Sequence, residues 1–221
     1  MLEKVFNGNN IFFRIMGRLG DFICLNLCYL MACIPIVTIG SATCALYEVL
    51  YEIGEGKDGH CMIRFWHAMK KYFKRATIYW CICLFLVGIF CVGMSGVQMM
   101  NGRIRMLFQA VSVGYVIFLL GFIFIGLILI AWTETSLRTT MRNAFLITIG
   151  SFPWLILNIM ITSIPAIIIF TGNVYAVANV LPLFLLFGLV LCDYVKMFIY
   201  KKILKKYGLL KGEKESQDDI K

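Results

Sequence analysis

Five long apolar runs dominate this chain, beginning near Leu19, Ala76, Met106, Ala144 and Val174. Crossing a bilayer takes about 20 predominantly apolar residues, and four of the five runs are long enough. The first is interrupted by Pro35 and Gly40. The apolar share is 61 % and the charged share 15 %, against roughly 45–50 % and 25 % in a soluble domain. The fold class expected is therefore all-α, a polytopic membrane bundle of about five spans with lipid as its first partner. The expected spans lie near 19–40, 76–99, 106–132, 144–170 and 174–200. Residues 1–207 form one transmembrane domain, and the charged segment 208–221 is expected to be a mobile tail, since it has too few apolar groups to fold. Residues 1–10 lack the pattern of a cleaved signal, so the first run is expected to serve as its own targeting segment.

The distribution of charge sets the orientation. The net charge is +9, from 21 Lys and Arg against 12 Asp and Glu. The basic residues gather at 57–75, at Arg138 and Arg142, and from Lys196 onward. Only Arg103 and Arg105 lie between the second and third runs, and none lies at 171–173. Positive loops stay on the cytoplasmic side. The loops near 54–75 and 133–143 and the C-terminus are thus expected inside, and the turns near 101–105 and 171–173 outside. Trp80, Trp132 and Trp154 are then expected at the inner headgroup level. Nucleic-acid binding is not indicated, because the basic residues are not collected on a polar module.

The N-terminal end resists this scheme. Lys4, Arg14 and Arg18 favour the inside, yet a single crossing by the first run puts them outside. Pro35 removes a backbone donor and disfavours helix at Ile34. Two outcomes follow: a single kinked crossing, the one preferred here, or a re-entrant hairpin that turns back within the membrane.

Residues 61–76 carry a helical pattern. Met62, Phe65, Trp66, Met69, Tyr72 and Phe73 share one face. Arg64, His67, Lys70, Lys71, Lys74 and Arg75 take the other. This predicts a basic amphipathic helix lying flat on the cytoplasmic headgroups, with Arg64, Lys70, Lys71, Lys74 and Arg75 as a lipid or partner surface. A weaker amphipathic arc covers Asn10–Leu19, with Arg14 and Arg18 opposite Ile11, Phe12, Ile15, Met16 and Leu19.

Polar residues within the runs are the candidates for chemistry. Asp193 is costly at membrane depth, and Lys196, three residues on, is placed to pair with it. Asn26 and Asn158 are positioned to bridge helices through hydrogen bonds. Glu48, Glu52, Glu55 and Asp58 form an acidic stretch near the inner surface, and Glu134 can meet Arg138. The small residues 40–45, and Ala110 with Gly114, permit close helix approach. The nine cysteines lack a C-x-x-C pair and have no grouped histidines, so they are read as small apolar packing residues. No nucleophile elbow, zinc-protease or phosphate-loop motif occurs. No enzyme activity, cofactor or metal is expected.

The stretch N-L-C-Y-L-M-A-C-I-P-I-V-T-I-G-S-A-T-C-A-L-Y, residues 26–47, resembles the signature of the YesL family of uncharacterised bacterial membrane proteins. Asn26, Pro35, Thr38, Gly40, Ala45 and Tyr47 carry the likeness. It continues more weakly through Phe65–Phe73, R-N-A-F at 142–145 and the basic end of the last run. Genes of that family often neighbour those of carbohydrate-uptake ABC transporters and sensor kinases. The resemblance therefore implies an accessory or regulatory component of carbohydrate uptake or sensing in the bacterial cell membrane. The candidate partners it implies are a permease or a sensor kinase. Read from its residues alone, the chain also admits an independent small-solute carrier or channel using Asp193, Asn158 and the broken 35–40 segment.

Overall fold

The computed structural model describes residues 11–56, 59–97, 102–133, 135–151 and 188–208, with isolated positions between 153 and 163. Among these residues every element is helical and no strand occurs. Helix α1 spans Ile11–Ala32, a 3-10 turn Ile36–Thr38, α2 Ile39–Gly54, α3 Cys61–Val97, α4 Arg103–Trp132, α5 Leu137–Gly150 and α6 Leu189–Lys206. Three segments are long and apolar enough to cross a membrane: Ile36–Gly54, Cys61–Val97 and Arg105–Trp132. The end of the fourth run from residue 164, the early part of the fifth, the turn at 171–173, the tail beyond Gly208, Lys57, Asp58, Glu134, Trp154, Pro165 and Pro182 lie outside the described residues.

The first run does not continue through its proline as one kinked crossing. It ends and reverses. Helix α1 closes with the Cys33 amide on the Tyr29 carbonyl at 2.9 Å, and Pro35 takes extended backbone at φ −78° and ψ 125°. The Thr38 hydroxyl lies 2.6 Å from the Ala32 carbonyl oxygen and 2.8 Å from that of Pro35. It thereby engages the Ala32 carbonyl, an acceptor that the ending helix leaves without an internal partner. The chain then returns along itself. Tyr29 Oη meets Thr43 Oγ1 at 3.3 Å, and Asp21 interacts with Cys61 at the far end of α2. Proline permits either a kink or a stop; the Thr38 cap and the contacts of α2 decide for the stop.

The basic amphipathic helix expected at 61–76 is not a separate surface element. It is the first half of α3, one unbroken helix of 37 residues, about 55 Å long at 1.5 Å per residue. Nothing between Lys74 and Ile78 interrupts helical geometry, for Arg75, Ala76 and Thr77 include neither Gly nor Pro. Its buried face is Cys61, Phe65, Ala68, Tyr72, Ala76, Tyr79 and Cys83, and protein covers that face. Met62 and Phe73, expected on the apolar face, are exposed. The Asn10–Leu19 arc is likewise the opening of α1 rather than its own element, with Met16 and Leu19 exposed.

Helices α2 and α3 run antiparallel in close register. Ile36 accepts from Trp80 Nε1 at 2.8 Å, Glu48 from Lys71 at 3.0 Å and Glu52 from Arg64 at 3.1 Å. Gly40 makes this approach possible. A Cβ there would stand 2.7 Å from Trp80 Cβ and 3.0 Å from the Ala76 carbonyl oxygen. The residues Ser41 to Tyr47 are all buried. The small stretch at 40–45 thus serves close approach between helices within the chain. Cys44 is fully buried and its Sγ–H donates to the Leu127 carbonyl at 3.2 Å, as a packing cysteine does.

Helices α3 and α4 also run antiparallel. Tyr72 donates to the Ala131 carbonyl at 2.9 Å and Tyr79 to that of Phe122 at 2.6 Å, while Phe90 stacks on Tyr115. The Tyr79 ring occupies the place a Cβ on Gly126 would take. Trp132 is not an interfacial anchor. It is buried, and its Nε1 donates to the Tyr47 carbonyl at 3.1 Å. Ala110 and Gly114 are exposed, with no neighbour near Gly114, so they do not serve close approach among the described residues. Arg75 donates to the Thr135 carbonyl, and Ser136 caps α5 by accepting from the Thr139 amide.

Candidate functional site

Helix α6 carries Asp193 and Lys196 against α2. The Lys196 ammonium donates to Asp193 Oδ1 at 2.9 Å, with side chains 4 % and 13 % exposed. The Tyr47 hydroxyl donates to the same oxygen at 3.3 Å, and the Tyr47 ring meets Tyr200 edge-on at 6.2 Å. Asn158 Nδ2 donates to the Tyr200 hydroxyl. Asp193 and Asn158 thus belong to one cluster, joined through Tyr200 rather than directly. Lys196 also lies over the Phe124 ring, 5.4 Å from its centroid. The two side chains and the Tyr47 hydroxyl thus satisfy one another in a site largely closed to solvent.

The motif residues have identifiable roles around this cluster. Pro35 and Thr38 make the reversal, Gly40 the contact with α3, and Ala45 fills space at 0 % exposure. Tyr47 links α2 to Asp193 by its hydroxyl and to Trp132 by its carbonyl. Asn26 is fully buried on α1. The 35–40 segment is apart from Asp193, since Ile36 stands eleven residues before Tyr47 on the helical path, about 16 Å. A polar route joining it to Asp193 and Asn158 is not formed by these contacts.

The basic residues divide into two sets. Arg64 holds Glu52 and, at 2.6 Å, the Gly59 carbonyl. Lys71 holds Glu48, and Arg75 holds Thr135. The acidic stretch at 48–55 is therefore the internal counterpart of the basic helix, a pairing that sequence separation concealed. Glu55 continues it, 3.9 Å from Lys201 of α6. His67, Lys70 and Lys74 face outward instead. Through Arg75–Thr135 and Lys201–Glu55, the basic segments near 54–75, near 133–143 and at the C-terminal end of α6 gather together. No group of three or more His, Cys, Asp or Glu suited to a metal occurs among the described residues.

The fold defines a class: an all-helical chain with helices of membrane-spanning length and apolarity. Within it, residues 22–94 match the family model described as "Protein of unknown function, DUF624". The matched stretch contains all six motif residues, the second half of α1, all of α2 and nearly all of α3, and stops before α4. No curated protein and no solved structure matches the chain.

Proposed function

We propose that this is a non-enzymatic integral membrane protein of the bacterial cell membrane. It acts as an accessory or regulatory component of carbohydrate uptake or sensing, with its C-terminus cytoplasmic. The observation that carries the reading is the outward basic edge of α3, His67, Lys70 and Lys74. It is held in place by the inward pairs Arg64–Glu52 and Lys71–Glu48. A rigidly presented basic edge suits an acidic protein surface beside the membrane. The carbohydrate assignment, with a permease or sensor kinase as partner, rests on the YesL resemblance, whose motif lies inside the matched segment. Fourth and fifth spans belong to the same reading, drawn from the apolar runs at 144–170 and 174–200.

Affinity purification in mild detergent, with photo-crosslinkers at Lys70 and Lys74, tests this proposal. Recovery of a permease or sensor kinase supports it; crosslinks to lipid alone count against it. A second reading, a small-solute carrier, draws support from the Asp193–Tyr47–Tyr200–Asn158 cluster. It requires solute flux into reconstituted vesicles that is lost in Asp193→Asn.

A further inference from the structure

The outward face of α3 changes character over one turn. Lys70, Lys74 and Ile78 follow at intervals of four residues, and all three are exposed. Beyond them Phe85, Ile89 and Val92 are 69 %, 54 % and 73 % exposed. The opening of α4, paired with this half, exposes Met106, Leu107, Val111 and Val113 in the same way. The twenty residues from Ile78 to Val97 rise about 30 Å, the thickness of a bilayer's hydrocarbon core. Exposed lysines are excluded from that core, so its boundary falls between Lys74 and Ile78.

Helix α2 lies on the wrong side of that boundary to be a span. Its register against α3 sets Glu52 at Arg64, Glu48 at Lys71 and Gly40 at Ala76 and Trp80. Nearly all of α2 is thus level with the charged half. Only the turn between α1 and α2 passes beyond Lys74, where Ile36 meets Trp80, six residues and about 9 Å further along. That turn is apolar and uncovered: Met31, Ile34, Ile36 and Val37 are 66 %, 78 %, 64 % and 50 % exposed. It stands at the level of Trp80 on α3, beyond the last exposed lysine. A wedge entering roughly 5–10 Å is the depth at which interfacial segments bury.

We infer that the α1–α2 hairpin does not cross the bilayer, and that its tip, Met31 to Val37, is a lipid-binding wedge seated in the leaflet on the basic side. The occupant is the phospholipid acyl and headgroup boundary, with Lys70 and Lys74 at the level of anionic headgroups. The inference rests on the membrane reading above, and it puts both ends of residues 11–54 on the basic side, which removes the conflict between Arg14, Arg18 and the loop after α2.

The test uses the full chain in sealed vesicles. Val37→Cys, Gly102→Cys and Lys70→Cys are made separately in the otherwise native protein. A membrane-impermeant maleimide is applied to each face in turn, and each site is read by peptide mass. A thiol among acyl chains is neither ionised nor reached by a charged reagent. Val37→Cys is expected to label about tenfold or more slowly, from either face, than the marker that each face exposes. Gly102→Cys and Lys70→Cys label from opposite faces, and Val37→Cys labels fully after SDS. Labelling of Val37→Cys from the Gly102 face would show a crossing hairpin and overturn the inference. Labelling from the Lys70 face at the Lys70 rate would show a tip in water and overturn it equally. Release of the chain by carbonate, with all three sites reactive, would instead defeat the membrane reading itself. Retention of native circular dichroism by each variant excludes misfolding as the cause.

Discussion

Helix α3 is two different helices in one. From Cys61 to Cys83 it buries a face against α2 and α4, with tyrosine hydroxyls on backbone carbonyls and carboxylates on its basic side chains. From Leu84 to Val97 it has no fully buried residue and presents Phe85, Ile89 and Val92 outward. Helix α4 repeats the division in reverse, exposed at Met106–Val113 and buried from Ile125 to Trp132. The packed half of α3 also carries the basic side chains from Arg64 to Arg75, whereas both halves of α4 are apolar. What separates them is the solvent each was built for. One half is packed on protein, with polar atoms satisfied by specific partners. The other meets protein along the α3–α4 seam, where Phe90 stacks on Tyr115, and leaves most of its remaining surface open, which suits lipid, a solvent that needs no shape complement.

Substitutions in the first half should therefore be costly and in the second mild. The largest effect is expected at Asp193→Ala, which strands the Lys196 ammonium in the interior. Removing one partner of a buried pair costs about 3–5 kcal/mol. Urea or thermal unfolding in detergent checks this, and Asp193→Leu with Lys196→Met should recover most of the loss. Full stability of the single variant would break the picture of a closed, protein-packed cluster.

A paired glycine test on α4 comes next. Gly126→Ala places a methyl in the Tyr79 ring and should destabilise by about 1–3 kcal/mol. Gly114→Ala meets no atom within 4 Å and should be neutral or gain up to about 1 kcal/mol from helix propensity. Equal melting shifts for the two would erase the contrast between the halves.

Smaller again is Tyr47→Phe. It deletes a hydrogen bond to a charged carboxylate, worth about 1.5 kcal/mol, and keeps the ring contact with Tyr200. Smallest is Lys71→Ala, whose ion pair with Glu48 is partly exposed at 42 % and 22 % and contributes no more than about 1 kcal/mol. A loss at Lys71 equal to that at Asp193 would mean the rim is as tightly packed as the centre.

The pattern of apolar runs made the helical class legible, and the third run, 106–132, lies within α4. Spacing alone also paired Asp193 with Lys196, because neighbours three apart on a helix meet. Tyr47, their hydroxyl partner, was visible only as a motif residue; 146 positions separate it from Asp193. Pro35 marked a break without its direction, which depends on the Thr38 cap and the Gly40–Trp80 contact. Residues 61–76 showed a correct amphipathic period and a wrong occupant for its apolar face. A stripe facing α2 and α4 and a stripe facing headgroups read alike, and the register with α2 is what distinguishes them.

The most direct measurement is a nitroxide scan along the outward face of α3, with the label introduced one site at a time at positions 70, 74, 78, 85 and 89. Collision rates with oxygen and with a water-soluble nickel complex are read in lipid vesicles. The account requires nickel access at 70 and 74, and a switch to oxygen access between 74 and 78 that persists to 89. A flat oxygen-rich profile from 70 onward would place the basic half in lipid and contradict it.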